Sequence, residues 1–203
     1  MKEILLATRN KGKVRELQEL LLPLNIKVLT LDEVGPIPDI EEDGDSFAAN
    51  ALKKARETSK ESGYICLADD SGLVVDALDG QPGIYSARFA GENATDEENN
   101  NKLLSLLTDV EEKERTARFV CAIAICSPQG KFATVEGICE GRIDFAPQGT
   151  GGFGYDPLFI PTGYSSSFGE LSSAQKHQIS HRGEALKKAI PLIANFFRPE
   201  NRV

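Results

Sequence analysis

Short apolar runs alternate along the chain with longer stretches in which apolar residues recur every three or four positions. Glu3 to Ala7 is a short apolar run and predicts a strand. Asn10 is placed to cap a helix on which Val14, Leu17, Leu20 and Leu21 fall at helical spacing, and Pro23 ends that pattern. Ile26 to Leu31 returns to strand. A second helix is predicted from about Ser46 to Ser62, with Phe47, Ala51, Leu52 and Ala55 on one face. Ile65 to Ala68 predicts a strand that ends in Asp69-Asp70-Ser71-Gly72, and Leu73 to Leu78 predicts a separate one. Thr95-Asp96-Glu97-Glu98 is a capping box that opens a helix bearing Leu103, Leu104, Leu106 and Leu107. Arg118 to Cys126 and Lys131 to Ile143 flank Ser127-Pro128-Gln129-Gly130, the pattern of a long β-hairpin. A short strand follows at Leu158–Ile160. The last helix begins near Ser180, carries Leu186, Ala189, Ile190, Ile193 and Phe197, and should kink at Pro191. Strand, helix and strand at the start, with a hairpin later, predict an α/β fold with a mixed sheet. No repeat, low-complexity tract or linker divides the chain, so residues 1–203 read as one domain.

Composition narrows the function. Lys+Arg 23 against Asp+Glu 31 gives a net charge of −8, the wrong sign for coating a nucleic acid. A small anionic substrate remains compatible, because a local cation cluster or a metal outweighs the global sign. No apolar run approaches the ~18–20 residues of a membrane span. The apolar stretch after Met1 is too short for a signal peptide, so a cytoplasmic protein without membrane or nucleic-acid partners is expected. Cys66, Cys121, Cys126 and Cys139 form no C-x-x-C pair and read as buried free thiols in a reducing compartment.

Four segments carry candidate chemistry. Thr8-Arg9-Asn10-Lys11-Gly12-Lys13 lies between the first strand and the first helix, where unpaired N–H groups and a helix dipole favour phosphates. It lacks the Walker A pattern, and a capped helix start with solvated lysines explains it as well. The acidic loop Glu41-Glu42-Asp43 and the pair Asp69-Asp70 offer hard oxygen ligands for a cation such as Mg²⁺. Adjacent strand residues point to opposite faces, so Asp69 and Asp70 are not expected to share one cleft unless the strand has turned. Gly149-Thr150-Gly151-Gly152-Phe153-Gly154-Tyr155-Asp156-Pro157 contains G-x-G-x-x-G, but a strand follows it instead of a helix, which argues against a dinucleotide fold. A loop that lays Phe153 or Tyr155 against a planar ligand fits it better. Lys176, His181 and Arg182 cluster around the start of the last helix, with Ser180 as its cap, and suit phosphate or a base edge.

Taken in order, Thr8-x-Asn10-x-x-Lys13, Glu42, Ala68-Asp69-Asp70-Ser71-Gly72-Leu73, Gly83-Ile84-Tyr85-Ser86-Ala87-Arg88, Gly149 to Pro157 and Ser180-His181-Arg182 closely resemble the inosine-triphosphate pyrophosphatase family. The resemblance runs from about Leu5 to Phe197. It implies an α/β fold with a long mixed sheet flanked by helices, two lobes with the active cleft between them, and a homodimer. It implies Mg²⁺-dependent hydrolysis of dITP, ITP and XTP to the monophosphate and pyrophosphate, with one or more ions per subunit. Carried onto this sequence, the Thr8–Lys13 turn (Thr8, Arg9, Asn10, Lys11, Gly12, Lys13) contacts the triphosphate, with no individual role for Arg9. Glu42 and Asp70 hold Mg²⁺, and Asp70 is also the general base. Ser71, Phe153, Gly154, Tyr155, Asp156, Lys176, His181 and Arg182 line the nucleotide site. Two other readings stay open on the residues alone: a hydrolase of modified pyrimidine triphosphates, and a nucleotide-binding protein without catalysis.

Overall fold

The computed structural model describes residues 2–198. Six strands form one mixed sheet in the order β2-β1-β3-β4-β5-β6, with β1 Glu3–Leu6, β2 Lys27–Leu29, β3 Cys66–Val75, β4 Thr116–Cys126, β5 Phe132–Ile143 and β6 Phe159–Pro161. β1 pairs in parallel with both β2 and β3, whereas β5 and β6 run antiparallel. The helices are α1 Lys11–Leu21, α2 Leu31–Val34, α3 Phe47–Ser62, α4 Asp96–Leu106, α5 Ser173–Ile179 and α6 His181–Phe196. This is the α/β fold with a mixed sheet that the sequence predicts.

Two compact units are built from interleaved chain segments. Of the described residues, the first takes 2–70, 122–137 and 184–198, and the second takes 71–121 and 138–183. In the first, α3 packs Ala51 and Ala55 against Ala7, Ala68, Ala122 and Ala124. Small side chains on both surfaces let the helix backbone approach the strands closely, so even modest contacts there are dense. In the second, the core is aromatic. Phe119 packs edge-on to Phe159 with ring centroids 4.7 Å apart, and Phe168 lies 5.1 Å from Phe159. Such pairs contribute ~0.5–1.5 kcal/mol each beyond the area they bury.

Three local expectations change. β3 does not stop at Asp69 but runs unbroken through Asp70-Ser71-Gly72 to Val75, merging the two predicted strands. Both acids therefore sit in mid-strand and not at a strand's end. The strand–turn inference failed because Asp, Ser and Gly favour turns only when nothing else fixes the backbone, and here β3 continues as a neighbour of β4 after β1 has ended. Leu31, read as strand, begins the short helix α2, whose Thr30–Glu33 capping box is formed. The short helix α5, capped by Ser172, has too few apolar positions to announce itself and was not foreseen. All four cysteines are buried free thiols, as read from their spacing. α6 continues through Pro191. Among the described residues, no helix is long and apolar enough to cross a membrane.

Candidate functional site

In the first unit, the candidate residues converge on Lys54. α3 starts at its cap Ser46, whose side chain accepts the Ala49 N–H, and this register turns Asn50 and Lys54 inward, one helical turn apart. The Lys54 ammonium donates to Glu42 Oε1 at 2.8 Å and to the Asp69 carbonyl at 2.8 Å, and stands 3.5 Å from Asp70 Oδ1. Asn50 donates from Nδ2 to Asp70 Oδ2 at 3.1 Å, while its Oδ1 accepts the Gly44 N–H at 2.8 Å. One amide thus ties the acidic loop to β3. The Asp69 carboxylate, fully buried, pairs with Lys13 at 3.3 Å. The two neighbouring acids use different partners, as strand alternation requires.

The electrostatics of this group are unbalanced. Glu42, Asp69 and Asp70 supply three carboxylates and Lys13 and Lys54 two ammonium groups. Burial pushes the Asp70 carboxyl above its usual range; Lys54 and Lys13 pull it back, and Glu42 adds to the rise. Burial opposes the Lys54 ammonium too, but Asp70, Glu42 and Asp69 together overcome it and hold its pKa up. Both pKa values rise, but for different reasons: burial dominates at Asp70, whereas the surrounding carboxylates dominate at Lys54. Among the described residues no three His, Cys, Asp or Glu side chains form a metal cage. Mg²⁺ does not need one, since it commonly takes one or two carboxylates plus waters and substrate phosphates.

The Thr8–Lys13 turn has a structural explanation as well as a chemical one. Asn10 caps α1, its Oδ1 accepting the N–H groups of Gly12 and Lys13. Thr8 Oγ1 accepts the Asn10 N–H. Arg9 turns away, donating to Asp39 Oδ1 and the Ile37 carbonyl, each at 2.7 Å. Lys11 is exposed.

The second unit assembles the remaining candidates. Lys176 and Asp156 form a buried pair at 2.6 Å, and Asp156 Oδ2 also accepts the Phe153 N–H at 2.8 Å. Lys176 Nζ lies 5.1 Å from the centroid of the Phe153 ring and Arg182 Cζ 5.6 Å from it. Arg182, only 1% exposed, donates to Ser71 Oγ at 2.9 Å. His181 is buried with its ring flat against Phe119, centroids 4.6 Å apart. Ser180 accepts the Gly183 N–H and so caps α6, as read from the sequence. The glycines of the loop answer to close approach: a Cβ on Gly149 would stand 2.2 Å from the Gly169 carbonyl oxygen, and one on Gly152 would stand 2.0 Å from Asp156 Oδ2. Of the two candidate stacking rings, Tyr155 is removed. It is buried, and its hydroxyl donates to the Ser86 carbonyl at 2.8 Å. Phe153, half-buried, is the ring the loop presents.

Asn50 and Lys54 were missed by sequence reasoning. Their signal was present: polar residues at 50, 54 and 58 repeat at helical spacing beside the buried Ala51 and Ala55. In α3 all three are buried, so this polar stripe meets partners and not water.

Within one mixed α/β fold, the first unit thus carries a buried carboxylate–ammonium cluster and the second a glycine-rich loop beside buried cations. Residues 4–192 match the model of the Ham1 family, and the chain belongs to that family. The dITP/XTP pyrophosphatase of Desulforamulus reducens is 53% identical over 96% of this chain and 97% of its own length. That of Bacillus licheniformis is 52% identical over 95% and 98%. Among solved structures, a HAM1 protein from Coxiella burnetii superposes with a TM-score of 0.86 at 42% identity, covering 96% of this chain and all of that one. The family resemblance read from six ordered motifs therefore stands.

Proposed function

We propose that this protein hydrolyses non-standard purine nucleoside triphosphates, dITP, ITP and XTP, to the monophosphate and pyrophosphate. The observation that carries the reading is the cluster around Asp70, in a chain about half identical to dITP/XTP pyrophosphatases over nearly its full length. Glu42 and Asp70 would hold Mg²⁺; the surplus carboxylate of the cluster suits a cation there. Bound Mg²⁺ neutralises phosphate charge and lowers the barrier to attack at phosphorus. Asp70 orients the attacking water and takes its proton, a role helped by a carboxyl whose pKa burial has raised. The Lys13 and Lys11 side chains of the Thr8–Lys13 turn contact the phosphates, while Asn10, accepting the Gly12 and Lys13 N–H groups, holds that turn in shape. Arg9 contributes nothing directly, since its guanidinium is engaged by Asp39 and the Ile37 carbonyl. ITP should yield IMP and pyrophosphate in equal amounts in the presence of Mg²⁺. Appearance of IDP and orthophosphate would place the cleaved bond elsewhere and end this reading.

At the base, Phe153 stacks on the purine and Lys176 and Arg182 donate toward the 6-oxo group that deaminated purines carry and adenine lacks. Arg182→Ala should then narrow the ITP-to-ATP ratio of kcat/KM by roughly 10- to 150-fold, the worth of one charged hydrogen bond. An equal loss on both substrates would assign Arg182 to the phosphates instead. The working form we propose is a cytoplasmic homodimer, a setting consistent with four cysteines outside any disulfide. Sedimentation at micromolar concentration should give twice the chain mass, and a fully active monomer would count against it.

A further inference from the structure

The glycine-rich loop is held at one residue by both of its backbone groups. Asp96, the first residue of α4, accepts the Gly154 N–H through Oδ2 at 2.7 Å. Asn100, one turn further along the same helix, donates from Nδ2 to the Gly154 carbonyl at 3.1 Å. Gly154 has φ +61°, a left-handed conformation that few other residues tolerate, so the clamp fixes a bend and not merely a position. On its other side the Phe153 N–H is fixed by Asp156 Oδ2. The Phe153 N–H and both polar backbone groups of Gly154 are thereby tied to side chains, and the Phe153 carbonyl accepts the Asp156 N–H.

Asn100 makes the arrangement specific. It is 7% exposed, and its Oδ1 has no hydrogen-bond partner among the described residues. A buried carbonyl left without a donor costs free energy, and a leucine of similar size would avoid that cost. What asparagine supplies at this position, and leucine cannot, is the N–H that reaches Gly154.

We infer that Asp96 and Asn100 are positioning residues for the purine end of the site: the first turn of α4 sets where the Phe153 ring stands, and so how tightly the base is held, without touching the phosphates. This rests on the pyrophosphatase reading above. It predicts an effect on base affinity that is separable from phosphate binding, because stacking tolerates any purine but requires the ring in place.

The test compares wild type with Asp96→Ala, Asp96→Asn and Asn100→Asp. Two quantities are read: KM for ITP, and Ki for inorganic tripolyphosphate, which has phosphates and no base. Asp96→Ala and Asn100→Asp should raise the KM for ITP about 10-fold, the loss of one hydrogen bond to a positioned group, and leave the Ki for tripolyphosphate unchanged. Asp96→Asn keeps an oxygen for the Gly154 N–H and should restore a wild-type KM. A parallel rise of KM and Ki, an unchanged KM in both disruptive variants, or failure of Asp96→Asn to rescue would overturn the positioning role. Wild type in the same assay separates this from the parent reading: if it leaves ITP intact, the pyrophosphatase assignment falls first and this inference with it.

Discussion

Asp70→Asn is expected to lower turnover of ITP at least ~10²-fold, the usual loss when a general base or metal-binding carboxylate is neutralised. The fold should survive. The substituted amide retains an oxygen to accept from Asn50, and Lys54 keeps Glu42 and the Asp69 carbonyl as partners. Because burial penalises the Asp70 charge in the folded state, removing that charge should leave the melting temperature unchanged or raise it. The direction follows from linkage: a carboxyl whose folded pKa lies above its unfolded value destabilises the fold once pH is high enough to ionise it. Steady-state kinetics with Mg²⁺ and ITP, beside a thermal melt, separate chemistry from folding. A folded variant with near-normal kcat would remove Asp70 from the mechanism.

Asp156→Ala should produce the largest loss of stability among the candidate-site variants. Asp156 and Lys176 are 2% and 4% exposed and 2.6 Å apart. Truncating one partner of such a buried pair strands the other charge away from water, typically at a cost of about 3–5 kcal/mol. For a chain of this length that corresponds to a fall in melting temperature of roughly 6–20 °C. The same truncation frees the Phe153 N–H, so affinity for ITP should fall as well. Asp156→Asn keeps an acceptor for that N–H and for the ammonium and should recover part of both losses. Urea unfolding of the three proteins measures the effect. A change under about 1 kcal/mol in Asp156→Ala would mean that water reaches Lys176 and that the pair is not structurally isolated.

Much of the molecule was legible because its signals are local. The α4 capping box is formed as written, with the Thr95 side chain accepting the Glu98 N–H and Glu98 answering to the Thr95 backbone. Asn10 and Ser46 cap α1 and α3 for the same reason: a short polar side chain satisfies orphan N–H groups wherever a helix begins. What failed was non-local. Asp69-Asp70-Ser71-Gly72 reads as a break by composition, and only pairing with neighbouring strands keeps it extended. Tyr155 and Phe153 are two residues apart in a glycine-rich loop, and nothing in their spacing says which ring enters the core. Lys54 was overlooked because a lysine in mid-helix reads as solvent-facing until the acids it meets, 12, 15 and 16 residues away, are placed around it.

The interleaving of the two units sets an order on biosynthesis. The segments of the second unit, 71–121 and 138–183, have all left the ribosome before residue 184, where the last segment of the first unit begins. The part containing the N-terminus is therefore the last to be completed, against the usual order in which N-terminal structure folds first. At ~5–20 residues per second, the N-terminal segment of the first unit waits roughly 10–40 seconds for α6 to be made. During that interval the first unit lacks its last segment, and apolar surface that this segment helps to bury is open to chaperones. Neither unit is one continuous segment, so no single cut in the gene releases either of them whole.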